Sequence, residues 1–146
     1  MLAEYLKDNI QIIDGGGIDW QEAIKISAKP LLESKSIQEE YVDSIITIAK
    51  KEGPYMNIGP KIVLAHARPL KSTKKVSLSL LKTEKKISFI DDNHDAQLWF
   101  VLAAVDNESH LDVIRDLSRL LMNKEAVSAI LNSTTVEEII KIITEE

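Results

Sequence analysis

The stretch Leu98-Trp99-Phe100-Val101-Leu102-Ala103-Ala104-Val105 is apolar on both alternating faces. A strand that met water on one side would alternate apolar with polar residues, so this run predicts a central strand covered above and below. Two covering layers are needed, and the rest of the chain supplies helical patterns for them. Leu2 to Asn9 carries Leu2, Tyr5 and Leu6 at helical spacing. Asp19 is a plausible N-cap for a helix to about Ser34, with Pro30 as a kink or a division. Ser36-Ile37-Gln38-Glu39 has the serine and glutamate of a capping box opening a helix through Lys51, stopped by Gly53 and Pro54. Beyond Asn107 a stripe of Leu111, Ile114, Leu117, Leu120 and Leu121 predicts a helix ending near Asn123. Lys124 to Leu131 follows as a second helix, and a Thr135–Glu138 capping box opens the last.

The remaining apolar segments are short. Ile10 to Ile13, Tyr55 to Ile58, Ile62 to Leu64, Val76 to Leu80 and Ile87 to Ile90 read as strands, the last at an edge. Asp14 to Gly17 reads as a flexible turn, Lys71 to Lys75 as a solvated loop, Lys82 to Lys86 as a charged turn, and Asp91 to Asp95 as another. Strands interleaved with helices around a two-sided strand predict an α/β three-layer sandwich, a mixed central sheet with helices on both faces, as a single domain over residues 1–146.

Several function classes drop out on inventory. The chain has no cysteine, which excludes disulfides, thiolate metal sites and cysteine nucleophiles and fits a reducing cytoplasm. A formal charge of -5 opposes nucleic-acid binding, which needs a basic face. The N-terminus lacks the order of a signal peptide, and the longest apolar run is far too short for a bilayer, so no direct membrane insertion is expected.

Chemistry then rests on the three histidines. His66 ends an apolar strand between Ala65 and Ala67, whose small side chains leave room for a partner and a bulky anion. Arg68 follows two residues later, held extended by Pro69, so both side chains tend to project to one side. An ordinary imidazole, with a pKa of about 6.5, is largely neutral at pH 7 and keeps a lone pair for attack on phosphorus. His110 stands where the central strand passes into a helix, a place where amide N–H groups and the helix dipole favour phosphate oxygens. His94 lies in Asp91-Asp92-Asn93-His94-Asp95, which matches no calcium loop and reads as a solvated turn.

The motifs Gly53-Pro54-Tyr55, Gly59-Pro60, Leu64-Ala65-His66-Ala67-Arg68-Pro69 and Ala103-Ala104-Val105-Asp106 with His110-Leu111 resemble, over nearly the whole chain, the enzyme IIA component of the sugar phosphotransferase system. The resemblance is to the mannitol/fructose type and within it to the ascorbate-specific branch. It implies that His66 accepts a phosphoryl group from the phosphocarrier protein HPr, on Nε2, and passes it to a cysteine of enzyme IIB, which serves a IIC permease. His110 would contact the phosphoryl group; Arg68, by its own placement beside His66, would offer its forked cation to the same anion. A basic residue on the helix before the active strand is matched by Lys50, where the family commonly has arginine, and Ala65 stands where it usually has proline. Such a transfer demands no metal, nucleotide or other cofactor, because the donor is already a phosphohistidine. Two alternatives remain open on sequence: a regulatory module whose phosphorylation on His66 controls a protein partner, and a metal-dependent hydrolase built from His66, His94, His110 and nearby aspartates.

Overall fold

In the computed structural model, which describes residues 2–145, five strands form one mixed sheet. They are β1 (Ile10–Ile13), β2 (Asn57–Gly59), β3 (Lys61–Ala65), β4 (Ser77–Phe89) and β5 (Asp91–Ala103), in the order β1-β4-β5-β3-β2. β1 runs parallel to β4 and β3 parallel to β5, while β4–β5 and β2–β3 are antiparallel. β5 is the middle strand, as its two apolar faces predict. Leu98, Phe100 and Leu102 enter one core, and Trp99, Val101 and Ala103 enter the other.

Helices α2 (Trp20–Glu33) and α3 (Glu39–Glu52) cover one face. The other carries α1 (Leu2–Leu6), α4 (Leu111–Met122), α5 (Lys124–Asn132) and α6 (Val136–Glu145). The α/β sandwich with helices on both faces is therefore present. Two caps form as read: Asp19 Oδ1 accepts from the Glu22 amide at 2.9 Å, and Thr135 and Glu138 exchange hydrogen bonds at the start of α6.

Pro30 neither ends nor divides α2, which stays continuous to Glu33. A proline has no N–H, so the carbonyl four residues earlier loses its helical donor. That carbonyl, of Ile26, instead accepts from Gln11 Nε2 of β1 at 2.6 Å. Gln11→Met is expected to orphan it and cost about 1–3 kcal/mol. Adding Pro30→Ala supplies an N–H at position 30 and should recover part of the loss, measured as non-additive shifts in denaturant midpoint.

Five local expectations are corrected. The charged stretch Lys82 to Lys86 is no turn, and Ile87 to Ile90 is no separate edge strand, because both lie within or directly after the single 13-residue β4, an inner strand. Lys82 is only 1% exposed. Its ammonium donates to the Ser133 carbonyl at the end of α5 and pairs with Glu84 at 3.0 Å, which is how a strand interior tolerates it. Asp91 to Asp95 is likewise not a loop but the start of β5. The reversal is confined to Ile90, at φ 69°, while Asp91 Oδ1 accepts from the Asn93 amide and from His94 Nδ1. Ser36 does not cap α3. Its hydroxyl is buried against that of Ser34 at 2.8 Å, and the helix starts after Gln38 without a side-chain cap. Finally, Pro54–Met56 is a 3-10 turn, so the strand expected over Tyr55 to Ile58 is shortened to Asn57–Gly59.

Candidate functional site

The parallel pairing of β3 with β5 decides where the histidines stand. Two parallel strands end at the same edge of a sheet, and there the last shared register position is Ala65 opposite Val101. His66 is the residue immediately after β3. β5 ends at Ala103, and a short loop leads to His110, the residue before α4. Both line one cleft of about 410 Å³, together with Arg68, Glu52, Tyr55 and Asn107. Lys50 lies on the exposed side of α3, outside that lining. His94 lies at the β4–β5 hairpin end, 2.7 Å from Asp91 and also outside the cleft. Among the described residues no group of three or more histidines and carboxylates is arranged to hold a metal ion.

His66 is exposed, and its Nδ1 lies 2.8 Å from the Leu64 carbonyl oxygen. A carbonyl only accepts, so this bond requires the proton on Nδ1 and leaves the lone pair on Nε2. The ring is thus held in the tautomer whose free nitrogen is Nε2. As that nitrogen bonds to an electrophile the ring gains positive character, and the carbonyl dipole at Nδ1–H stabilises it.

His110 is half-buried, and its Nδ1 is buried with no hydrogen-bond partner among the described residues. Buried polar atoms are nearly always paired, so an unpaired one in a cleft marks a group kept for something other than stability. The ring makes no cap to the α4 amides. The loop is organised instead by Asp106, whose Oδ1 accepts from the Glu108 and Ser109 amides at 2.9 and 2.7 Å. Those bonds hold the Asp106 carboxyl below its ordinary pKa. A depressed carboxyl contributes its stabilisation in full above the ordinary carboxylate range and loses it as pH falls through the lowered value. In an NMR titration the Glu108 and Ser109 amide resonances should therefore carry the Asp106 carboxyl step only below pH of about 4.

Arg68 is exposed at the cleft mouth and has no ion-pair partner among the described residues. Its forked guanidinium is available to an anion in the cleft. By helical spacing, Tyr41 belongs with Val42, Ile45, Ile46 and Ala49 to the apolar face of α3. It is only 1% exposed, yet its hydroxyl donates to the Leu102 carbonyl at 2.7 Å and accepts from the Ala67 amide at 3.1 Å. Tyrosine at helical spacing carries no signal that distinguishes such a role from packing. Burial pushes its phenol pKa up, which keeps the hydroxyl protonated and able to do both. Glu52 and Asn107 were also not foreseen, and polar residues flanking a helix end and a loop give no sign of a shared cleft.

Comparison with known proteins bears on the family and the fold. Residues 5–146 match the family described as phosphoenolpyruvate-dependent sugar phosphotransferase system, EIIA 2. The chain is 30% identical to the mannitol-specific cryptic phosphotransferase enzyme IIA component of Escherichia coli (strain K12) over 142 residues, 97% of each chain. It is also 30% identical to the ascorbate-specific PTS system EIIA component of the same strain over 126 residues, 85% of this chain and 82% of the relative. The solution structure of the cryptic mannitol-specific enzyme IIA from Escherichia coli superposes with a TM-score of 0.90 at 31% identity, covering 99% of both chains. The fold also recurs, at 20% identity and a TM-score of 0.76 over 95% of this chain and 96% of the other, in the enzyme IIA of an Escherichia coli mannitol complex with phosphorylated enzyme IIB. The family match over residues 5–146, together with a relative 30% identical over 97% of the chain, places the chain in the EIIA 2 family of the sugar phosphotransferase system.

Proposed function

We propose that the chain is a cytoplasmic phosphocarrier of sugar uptake in which His66 takes a phosphoryl group from phosphorylated HPr and passes it to a cysteine of enzyme IIB. The observation that carries this reading is the Nδ1 bond of His66 to the Leu64 carbonyl at the open end of β3. The lone pair of Nε2 attacks the phosphorus in line. The P–N bond to the donor imidazole breaks, and its electron pair returns to the donor nitrogen. The proton on Nδ1 stays in its bond to Leu64. In the second transfer a thiolate of enzyme IIB attacks the same phosphorus, and the pair of the breaking P–N bond returns to Nε2. The loose transition state spreads charge over the equatorial oxygens, so the protein acts by positioning and by donors. Arg68 and His110, both in the lining of the same cleft, supply them. Lys50 is exposed and lies outside the cleft lining.

The complex of enzyme IIA with phosphorylated enzyme IIB known for a protein of this fold supports the choice of acceptor. The permease component IIC is reached only through enzyme IIB, and no helix among the described residues is long and apolar enough to cross a membrane. For the sugar, the reading is L-ascorbate, supported by the ascorbate-specific relative. The mannitol-specific relative, equally identical over more of the chain, defines the competing outcome. The test incubates the purified chain with phosphorylated HPr and then with IIB proteins of the two types. An acid-labile label on the chain followed by a thiol-linked label on IIB is expected, with faster transfer to the ascorbate-type IIB. Failure to label the chain would overturn the phosphocarrier reading, and faster transfer to the mannitol-type protein would reassign the sugar.

A further inference from the structure

One buried hydroxyl joins the backbone segments that carry the two histidines. Tyr41 Oη accepts from the Ala67 N–H at 3.1 Å and donates to the Leu102 carbonyl at 2.7 Å, with the Ala67 carbonyl at 3.2 Å as a longer second acceptor. A phenol has a single hydrogen, and the shorter contact takes it. The result is a two-bond relay, Ala67 N–H to Oη and O–H to Leu102, anchored in α3.

From this arrangement we propose that Tyr41 is a positioning residue for His66. Its hydroxyl fixes the peptide that leaves His66, and with it the Nδ1-protonated tautomer that keeps the lone pair on Nε2. The role in transfer rests on the phosphocarrier reading, whereas the tautomer does not.

The physical argument starts from the end of the sheet. The register of β3 against β5 ends at Ala65, so the next residues lose the regular support of the ladder. The Ala67 N–H belongs to the peptide unit between His66 and Ala67. Fixing that plane fixes ψ of His66, and side-chain rotamers depend on backbone torsions. The imidazole must keep a narrow range of orientation to hold Leu64 O at 2.8 Å. Without a constraint on its own backbone, an exposed histidine samples both tautomers and several rotamers.

The Leu102 bond has a second consequence. Leu102 is the penultimate residue of β5, whose continuation leads to Asp106 and His110. The relay therefore references the His66 segment to the strand end from which the His110 loop departs. No other side chain of the described residues bonds to backbone in both places. The aromatic ring packs in the core between α3 and the sheet, so the hydroxyl itself is rigidly placed.

The test is Tyr41→Phe, which keeps the ring and removes only the hydroxyl. Imidazole nitrogen NMR on the unphosphorylated full chain reads the tautomer of His66 directly. Phosphoramidate, a small chemical phosphoryl donor, and phosphorylated HPr then give two transfer rates. Wild-type protein is expected to show His66 predominantly protonated on Nδ1. In Tyr41→Phe the two tautomers should become mixed, and the rates should fall by about 10- to 100-fold, the order expected for a small misplacement of a reacting group. Ile130→Val, in the opposite core, serves as a destabilised control and should leave tautomer and rates unchanged.

A wild-type tautomer population in Tyr41→Phe overturns the proposal. A chain that shifts its tautomer but takes no phosphoryl group from either donor upholds the positioning of His66 and sinks the phosphocarrier reading instead. Should Tyr41→Phe fail to fold, difluorotyrosine placed at position 41 weakens the hydroxyl as an acceptor at constant shape. A partial tautomer shift is then expected, and its absence is equally decisive.

Discussion

His66→Ala is expected to abolish acid-labile labelling by phosphorylated HPr while leaving the melting curve almost unchanged. The loss is complete because no other group in the cleft has the required lone pair in a fixed place. His94 is at the far hairpin end, outside the cleft lining, and His110 lacks any partner at Nδ1 to fix its tautomer. The fold is spared because the His66 side chain is exposed and makes a single surface hydrogen bond, to its own segment. Surface replacements of this kind stay within about 0.5 kcal/mol. Gel autoradiography after neutral and acid treatment, with circular dichroism on the same sample, checks both halves. Labelling that persists in His66→Ala would mean that another residue is the carrier.

His110→Ala should separate rate from stability in a different way. Removing a donor to the oxygens of the transferring group costs at most about 10²- to 10³-fold in rate, so single-turnover labelling of His66 should slow within that range without being lost. Stability should not fall in proportion. The Nδ1 of His110 has no partner among the described residues, so its removal breaks no hydrogen bond there and relieves a desolvated nitrogen. The α4 start is organised by the Asp106 carboxylate, which the substitution leaves in place. Rapid-quench kinetics beside thermal melting reads the contrast. An unchanged rate would reduce His110 to a helix-start residue. A large drop in melting temperature with a matching rate loss would make its role structural.

The parts of the fold that were legible depend on local repetition. β5 was readable because a strand covered on both faces has no polar residues to interrupt it, and six successive side chains from Leu98 to Ala103 alternate between the two cores. The helices were readable from their apolar stripes, and the caps at Asp19 and Thr135 because donor and acceptor lie three residues apart. Where reading failed, the partner was distant in sequence. Lys82 looked like a turn residue because a lysine in a strand interior needs an acceptor, and its acceptor, Ser133, is 51 positions away. Pro30 looked like a helix break because the donor that satisfies Ile26 comes from Gln11 on β1. Ser36 is the exception: its competing partner, the Ser34 hydroxyl, is only two residues away but belongs to no capping motif.

The candidate site divides along the same line. Residue order alone determined that His66 terminates an apolar strand, that Arg68 follows it in an extended segment, and that His110 opens a helix after the central strand, since each is a statement about neighbours in the chain. Only the tertiary structure decided that the two histidines share one cleft, because that requires β3 and β5 to pair in parallel and end at the same edge. It alone excluded Lys50 and His94 from the cleft lining, by the faces and strand ends on which they fall. It also assigned the proton of His66 to Nδ1 through the Leu64 carbonyl and revealed the Tyr41 hydroxyl, 26 and 61 residues from the backbone groups it joins. Hydrogen bonds of that reach are set by how the layers close on the sheet, and no period or spacing in the chain encodes them.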